Sequence, residues 1–304
     1  MREPIEQSIL ATAARNRGER REMIVGERLT CFWFYPAEFG SESARALILI
    51  HGYRGNHHGL EAIAGALPNT DIYIPDLPGF GASQPLPDEH SISEYANWLN
   101  SFIENLKLAK KPHLLGHSFG SIVVSAYAAK FDGIETLVLE NPVSSPALRG
   151  PRVAATKATN SFFWLAGVLP EPLGARLLKS WPMVRGMSIV MTKSKQASLR
   201  AWIHREHDQN FNDFYDRRVA LEAYQASVSS CVADFAPQFK RPVLMLIGEL
   251  DDITSVGEQI KLFDSLKVTG SKLVEFKSVG HLTHYEIPNG VAKEIQDWMA
   301  SHND

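Results

Sequence analysis

The chain has 304 residues, 44% of them hydrophobic, with a formal net charge of −3 and two cysteines. That length and apolar content suffice for one large core, or for a core carrying an inserted subdomain. The charge balance lacks the basic field that nucleic acid or an anionic membrane selects, so neither is expected as a partner.

From Met1 to Ile24 the chain is polar and charged, and its cluster Arg15, Arg17, Arg20, Arg21 is interrupted by Glu19 and Glu22. It reads as a solvated N-terminal segment. No apolar run approaches the roughly 20 residues a bilayer span needs, so a soluble, cytoplasmic protein without stable membrane insertion is expected. Cys31 and Cys231 are far apart in apolar or small-residue surroundings. Free buried thiols suit them better than a disulfide.

Leu29 to Tyr35 alternates and predicts an early strand, while Ala46 to Ile50 is continuously apolar, as in a strand covered on both faces. A helix candidate, Leu60 to Leu67, precedes a strand at Asp71 to Pro75. Ser91-Ile92-Ser93-Glu94 resembles a capping box opening a helix through Leu106. Strand His113 to Leu115, helix Phe119 to Lys130 and strand Ile134 to Leu139 follow. Pro242 to Gly248 and Lys272 to Phe276 supply two later strands, and Val291 to Ser301 a closing helix. Strands alternating with helices through short connections predict a doubly wound, mostly parallel sheet. Between about Val143 and Phe235 lie helix-like segments at Val153 to Leu169, Pro172 to Ser180, Gln196 to His207 and Asp216 to Val232, with no convincing strand. The expected organisation is a core of 1–142 and 236–304 with a helical cap, 143–235, inserted after the sixth strand.

The polar punctuation His51-Gly52, Asp76, Ser118, Glu140, Asp251 and His281 follows strand candidates, where ligands bind such sheets. Gly116-His117-Ser118-Phe119-Gly120, between an apolar strand and a small-residue helix, puts Ser118 on a strained elbow with its hydroxyl exposed. Glycines on either side let strand and helix approach closely. A serine nucleophile needs a base, and the base an orienting acid. Gly280-His281 supplies the base, with His284 as its rival. Asp251, Asp252 and Glu140, all following strand candidates, are the candidate acids. His57-His58 and His204, His207, Asp208 lack an evident third ligand, and the triad needs no metal, so no metal and no cofactor is expected.

The order Ser118, Asp251, His281 is that of the α/β-hydrolase triad. His51-Gly52-Tyr53-Arg54-Gly55 resembles that family's oxyanion loop, Asp76 to Ser83 its D-x-P-G-x-G-x-S loop, Gly116 to Gly120 its elbow, and Gly280-His281 with Glu286 and Pro288 its terminal histidine block. The chain thus resembles a capped, esterase- or lipase-like member of the α/β-hydrolase superfamily. The resemblance implies an eight-stranded sheet and an acyl-enzyme on Ser118, with His281 as base and Asp251 as orienting acid. It also implies an oxyanion hole from the amides of Phe119 and Tyr53. Asp76 is expected to brace its own glycine-rich loop. Arg54, His117, Trp164, Trp181 and Trp202 are candidate pocket residues, lining an apolar site beneath the cap.

Departures narrow the chemistry. Epoxide hydrolases and haloalkane dehalogenases carry an aspartate where Ser118 stands. Tyr53-Arg54 replaces the Gly-Pro of proline iminopeptidases and departs from the glycine-rich loop of carbon–carbon hydrolases. Hydrolysis of a small-molecule carboxylic ester is the leading expectation. Carbon–carbon or amide hydrolysis, perhydrolysis, acyl transfer and a non-catalytic receptor on the same fold are the alternatives.

Overall fold

Short apolar runs without alternation form the middle of the sheet. In the computed structural model, which describes residues 4–38, 45–145 and 153–302 (side chains of 153–158 excepted), β3 (Leu47–Ile50), β5 (His113–His117), β6 (Leu137–Glu140) and β7 (Val243–Gly248) are buried at every position. β1 (Glu19–Val25), β2 (Arg28–Tyr35), β4 (Ile72–Pro75) and β8 (Lys272–Phe276) complete eight strands in the order β1-β2-β4-β3-β5-β6-β7-β8. β2 runs antiparallel to both its neighbours; every pair from β4 to β8 is parallel. The chain forms the expected mostly parallel eight-stranded sheet, made mixed by the antiparallel pairing of β2.

Helices α1 (Glu6–Arg17), α2 (Glu61–Ala66), α3 (Ile92–Leu106) and α4 (Phe119–Lys130) precede five helices after β6. Those five are α5 (Val153–Val168), α6 (Glu171–Leu178), α7 (Trp181–Met191), α8 (Ala197–Asn210) and α9 (Arg217–Ser229). They form the helical insert. α10 (Val256–Ser265), α11 (Thr283–Glu286) and α12 (Pro288–Ala300) follow. Two apolar layers enclose the sheet. Ile48, Ile50 and Leu114 pack towards α3 and α4, whereas Leu47, Leu49 and Leu115 pack towards α2 and α12. This alternation is what a parallel sheet covered on both faces requires.

The N-terminal segment is structured rather than simply solvated. β1 pairs along its whole length with β2, from Glu19 opposite Phe34 to Val25 opposite Arg28. Its polar, edge-strand sequence carries no apolar alternation by which to recognise it. Arg17 caps the open end of α2, donating to the carbonyls of Ala64 and Leu67, and also reaches Pro36 and Pro68. Arg15 pairs with Glu61 and Glu206, so one guanidinium ties α1 to both sheet layer and insert. α7 is a second element the sequence conceals. Pro182 suggests a break, yet it occupies the first turn, where its missing N–H costs nothing. Both cysteines are free and buried, as expected. At Ser91 only half the capping box forms: Ser91 caps Glu94, but the Glu94 carboxylate accepts from Asn97.

α1 crosses α2 at Gly65, where a Cβ would sit 1.9 Å from the Leu10 carbonyl oxygen. Backbone cannot yield there as a flexible side chain could. Gly65→Ala is therefore expected to lower the urea-unfolding free energy by about 1–3 kcal/mol and to open residues 6–17 to proteolysis. Unchanged resistance to limited proteolysis would mean that α1 is not held by this crossing.

Candidate active site

The elbow is built by close backbone approach. A Cβ on Gly120 would lie 2.4 Å from the Ile50 oxygen, and one on Gly116 would lie 2.4 Å from the Gly120 oxygen. With those side chains absent, α4 starts directly against β3 and β5. Ser118 between them takes φ 51° and ψ −117°, a strained conformation for a residue with a Cβ. Its N–H donates to the Glu140 carbonyl at 3.1 Å, and its carbonyl accepts the Ser121 hydroxyl.

The side chain so presented meets His281, whose Nε2 lies 2.8 Å from Ser118 Oγ. Nδ1 of the same ring lies 2.9 Å from Asp251 Oδ2. A carboxylate can only accept, so Nδ1 carries the proton, and in the neutral ring Nε2 is left to accept from the serine hydroxyl. Asp251 is held in turn by the amides of Ile253 and Thr254, the Thr254 hydroxyl, and the side-chain amides of Asn141 and Gln259. Burial by itself would raise the Asp251 carboxyl; the attraction and hydrogen bond of His281, with those of Thr254, outweigh it and hold the group well below the usual range.

The rival residues go elsewhere. Asp252 pairs with Lys193. Glu140 is buried behind the imidazole, accepts from Thr283 and lies 3.6 Å from His284 Nδ1. Burial raises its carboxyl above the ordinary value, against the pull of His117 and Thr283. His284 is likewise buried, and desolvation, followed by repulsion from His281, lowers it to about 3.

Three supporting roles are not read from the sequence, although it names His117 as a pocket residue, which it is, and Glu286 as part of the histidine block. His117 Nε2 lies 3.1 Å from the His281 carbonyl, which can only accept, so this ring donates and anchors the backbone of residue 281. Burial, with repulsion from His284, holds His117 neutral. Asn141, at φ 43°, accepts from Thr283 while donating to Asp251; an asparagine following a strand is the usual signal of such a left-handed position. The Glu286 carboxylate accepts from the amides of Lys193, Ser194 and Gly280, joining the insert to the histidine loop.

Gly52 keeps the neighbouring loop against the elbow, since a Cβ there would be 3.1 Å from His117 Nδ1 and 3.4 Å from Ser118 Cβ. Tyr53 and Phe119 both border the cavity, and among the described residues neither N–H has an acceptor. His51 steadies this loop, with Nδ1 on the Gly52 carbonyl and Nε2 accepting from the Leu77 amide. Asp76 does brace its own loop, accepting from the His57 amide and ring and from Ala82. Gly81 is required there, because a Cβ would lie 2.1 Å from Asp76 Oδ2.

Above Ser118 lies a cavity of about 1230 Å³ bordered by His117, Met187, Val190, Met191, Phe211, Tyr224 and Val228, among others. Four of the five candidate pocket residues are not on its wall. Trp164 and Trp181 point outwards from the insert, 66% and 60% exposed. Trp202 is buried edge-on against Tyr285. Arg54 is fully buried and ties the loop to the insert, donating to the carbonyls of Phe211 and Leu178 and to Asn212. The Tyr53 hydroxyl makes a similar tie to the Ala220 carbonyl at 2.7 Å. Residue type suggested a lining role for these side chains, but tertiary packing turns them into struts or surface.

The histidine pairs also find partners. His204 and His207 both face the Ser188 hydroxyl, and Asp208 pairs with Arg185. His57 is held by Asp76 and stacks on Trp33. Glu61 corrects the expectation that His57 and His58 lack a third ligand: one ligand atom from each of the three lies within 4.8 Å of the others, and Glu61 also shares Arg15 with Glu206.

A hydroxyl–imidazole–carboxylate array at the carboxyl edge of a doubly wound sheet, beneath a helical insert, defines the class of protein. The chain belongs to the α/β-hydrolase family: residues 45–288 match the family described as alpha/beta hydrolase fold. It is 31% identical over 272 residues to lipase 3 of Moraxella sp. (strain TA144), covering 86% of this chain and 79% of that one. It is 27% identical over 270 residues to monoacylglycerol lipase ABHD6 of Mus musculus, covering 85% and 76%. Among solved structures, a thermophilic esterase from Thermogutta terrifontis shares the fold with a TM-score of 0.74 at 21% identity, over 94% of this chain and all of that one.

Acid should destabilise this fold in two stages. His207, which desolvation and then His284 lower to about 3, and His284 at about 3 stay neutral in the folded protein, while in the unfolded chain both protonate near pH 6.5. Between those values the unfolded state binds more protons, so both histidines remove stability as pH falls. Asp251 adds to the loss below its unfolded value of about 3.9, because its depressed pKa stabilises the fold only while it is charged. Urea unfolding measured from pH 7.5 to 3 should show this decline continuing through both stages; a flat profile from 6.5 to 4 would contradict the neutral, buried histidines.

Proposed function

We propose that the protein is a serine hydrolase of carboxylic esters, accepting substrates whose acyl or alcohol part is apolar. The observation that carries this reading is the 2.8 Å and 2.9 Å pair of hydrogen bonds through His281, formed at the floor of a large, mainly apolar cavity. Relatives named as lipases, matched over most of the chain, support the same chemistry.

In the proposed reaction, His281 Nε2 takes the Ser118 proton as Oγ attacks the ester carbonyl carbon. The resulting oxyanion accepts from the Tyr53 and Phe119 amides, a contribution of about 3 kcal/mol for each such donor in comparable sites. The tetrahedral adduct collapses, the imidazolium returns its proton to the departing alkoxide, and an acyl group remains on Ser118. Water then repeats the sequence, with His281 again as base, and releases the acid. Asp251 fixes the Nδ1–H tautomer and stabilises the imidazolium; it keeps its own charge throughout.

A fluorophosphonate should label the native protein and not Ser118→Ala, and Asp251→Asn should lower kcat on p-nitrophenyl esters by about 10⁴-fold with little change in KM. A series of p-nitrophenyl esters of increasing acyl length, assayed beside a ring-cleavage diketone, separates the readings. Ester turnover sensitive to Ser118→Ala is expected. Turnover of the diketone alone would transfer the site to carbon–carbon hydrolysis, and binding without turnover of any substrate would make it a receptor.

A further inference from the structure

Twelve large hydrophobic side chains are markedly exposed among the described residues, and seven of them fall within α5–α7. Trp164, Leu165 and Val168 project from one side of α5, with 164 and 168 a helical turn apart. Leu173 follows on α6, then Trp181 and Ile189 on α7, whose row is completed by Arg185 stacked over the Trp181 ring at 5.4 Å. Exposed apolar surface concentrated in this way marks an interaction site rather than the scattered exposure of an ordinary surface.

Charge identifies the occupant. Within residues 153–191 the exposed Arg176 and Lys179 are opposed by the single acid Glu171, while Arg185 is paired with Asp208, in a chain whose net charge is −3. Whole-chain charge argued against an anionic membrane, but it averages this segment away. Tryptophans beside lysines and arginines suit a lipid headgroup layer, where aromatic rings sit at the boundary and cations meet anionic phosphates. A two-fold dimer through the same face would oppose one basic segment to its own copy.

The face also leads to the site. Val190, 52% exposed, borders the cavity above Ser118, as do Gly186 and Met187 of the same helix. We propose that the α5–α7 face docks the protein peripherally on an anionic phospholipid bilayer, with the two tryptophans at the headgroup level and the cavity mouth beside the lipid. Docking does not depend on the ester chemistry. That a lipid ester then enters beside Val190 does rest on the function proposed above.

Sedimentation with vesicles of ether-linked phospholipid, which offer no ester bond, tests docking apart from turnover. Native protein should bind ether-linked phosphatidylglycerol, bind phosphatidylcholine at least tenfold less, and lose affinity as salt rises. Trp164→Ser with Trp181→Ser should reduce partitioning at least tenfold, and Arg176→Gln about fivefold. All three residues are exposed and outside the catalytic machinery, so hydrolysis of soluble p-nitrophenyl acetate should be unchanged in these variants. Ser118→Ala should abolish that hydrolysis and bind vesicles normally. Absence of binding to anionic vesicles, binding indifferent to the tryptophan substitutions, or a native dimer that the same substitutions dissociate would overturn the proposal.

Discussion

The site depends on how closely the start of α4 can approach β3. Two missing Cβ atoms, at Gly116 and Gly120, allow contacts that any other residue would block. The approach leaves Ser118 with positive φ, a conformation that costs roughly 1–3 kcal/mol and must be imposed by its surroundings. Ten of the twelve α4 residues are buried, so the helix cannot retreat to relieve it. Strain at one residue is offset by the packing of an entire helix, and the hydroxyl stands clear as a result.

Around this elbow the chain fixes loops with buried acceptors. Asp251, Asp76 and Glu286 each gather several donors, most of them backbone amides of short connections that lack helix or strand partners. Carboxylates serve well here because an ionised acceptor forms stronger bonds than a neutral one. Histidines do complementary work. His51 and His117, kept neutral by burial, each use ring nitrogens to pin backbone groups of neighbouring loops. The array through His281 is therefore the cavity-facing end of a larger buried network.

Much of this was legible because certain chemistry demands fixed spacing. An elbow needs a glycine two residues before and another two residues after its serine, and a strand covered on both faces needs an unbroken apolar run, as in Leu47 to Ile50. Those signals are local. What stayed hidden depends on where distant chain arrives. β1 is held by pairing with β2, α1 by the crossing at Gly65, and neither leaves an apolar pattern in its own sequence. Trp164, Trp181, Trp202 and Arg54 have compositions suited to a pocket wall, yet only the packing of five inserted helices decides which way each points. Asn141 and Thr254 could have been suspected, from a turn residue after a strand and from a hydroxyl three residues beyond an aspartate.

The setting of Arg54 bears on how the insert sits over the cavity. Its guanidinium is out of water, pushed down in basicity by that burial, and its partners are neutral: two carbonyls, the Asn212 side chain and the rings of Phe211 and Phe214. Arginine keeps its proton in proteins, so a whole cation is sequestered under the helices with no counter-ion among the described residues. Parting the insert from the loop would return this charge to water. The packed arrangement thus sets cohesive packing against the thirst of one buried charge, a counterweight under the roof of the cavity.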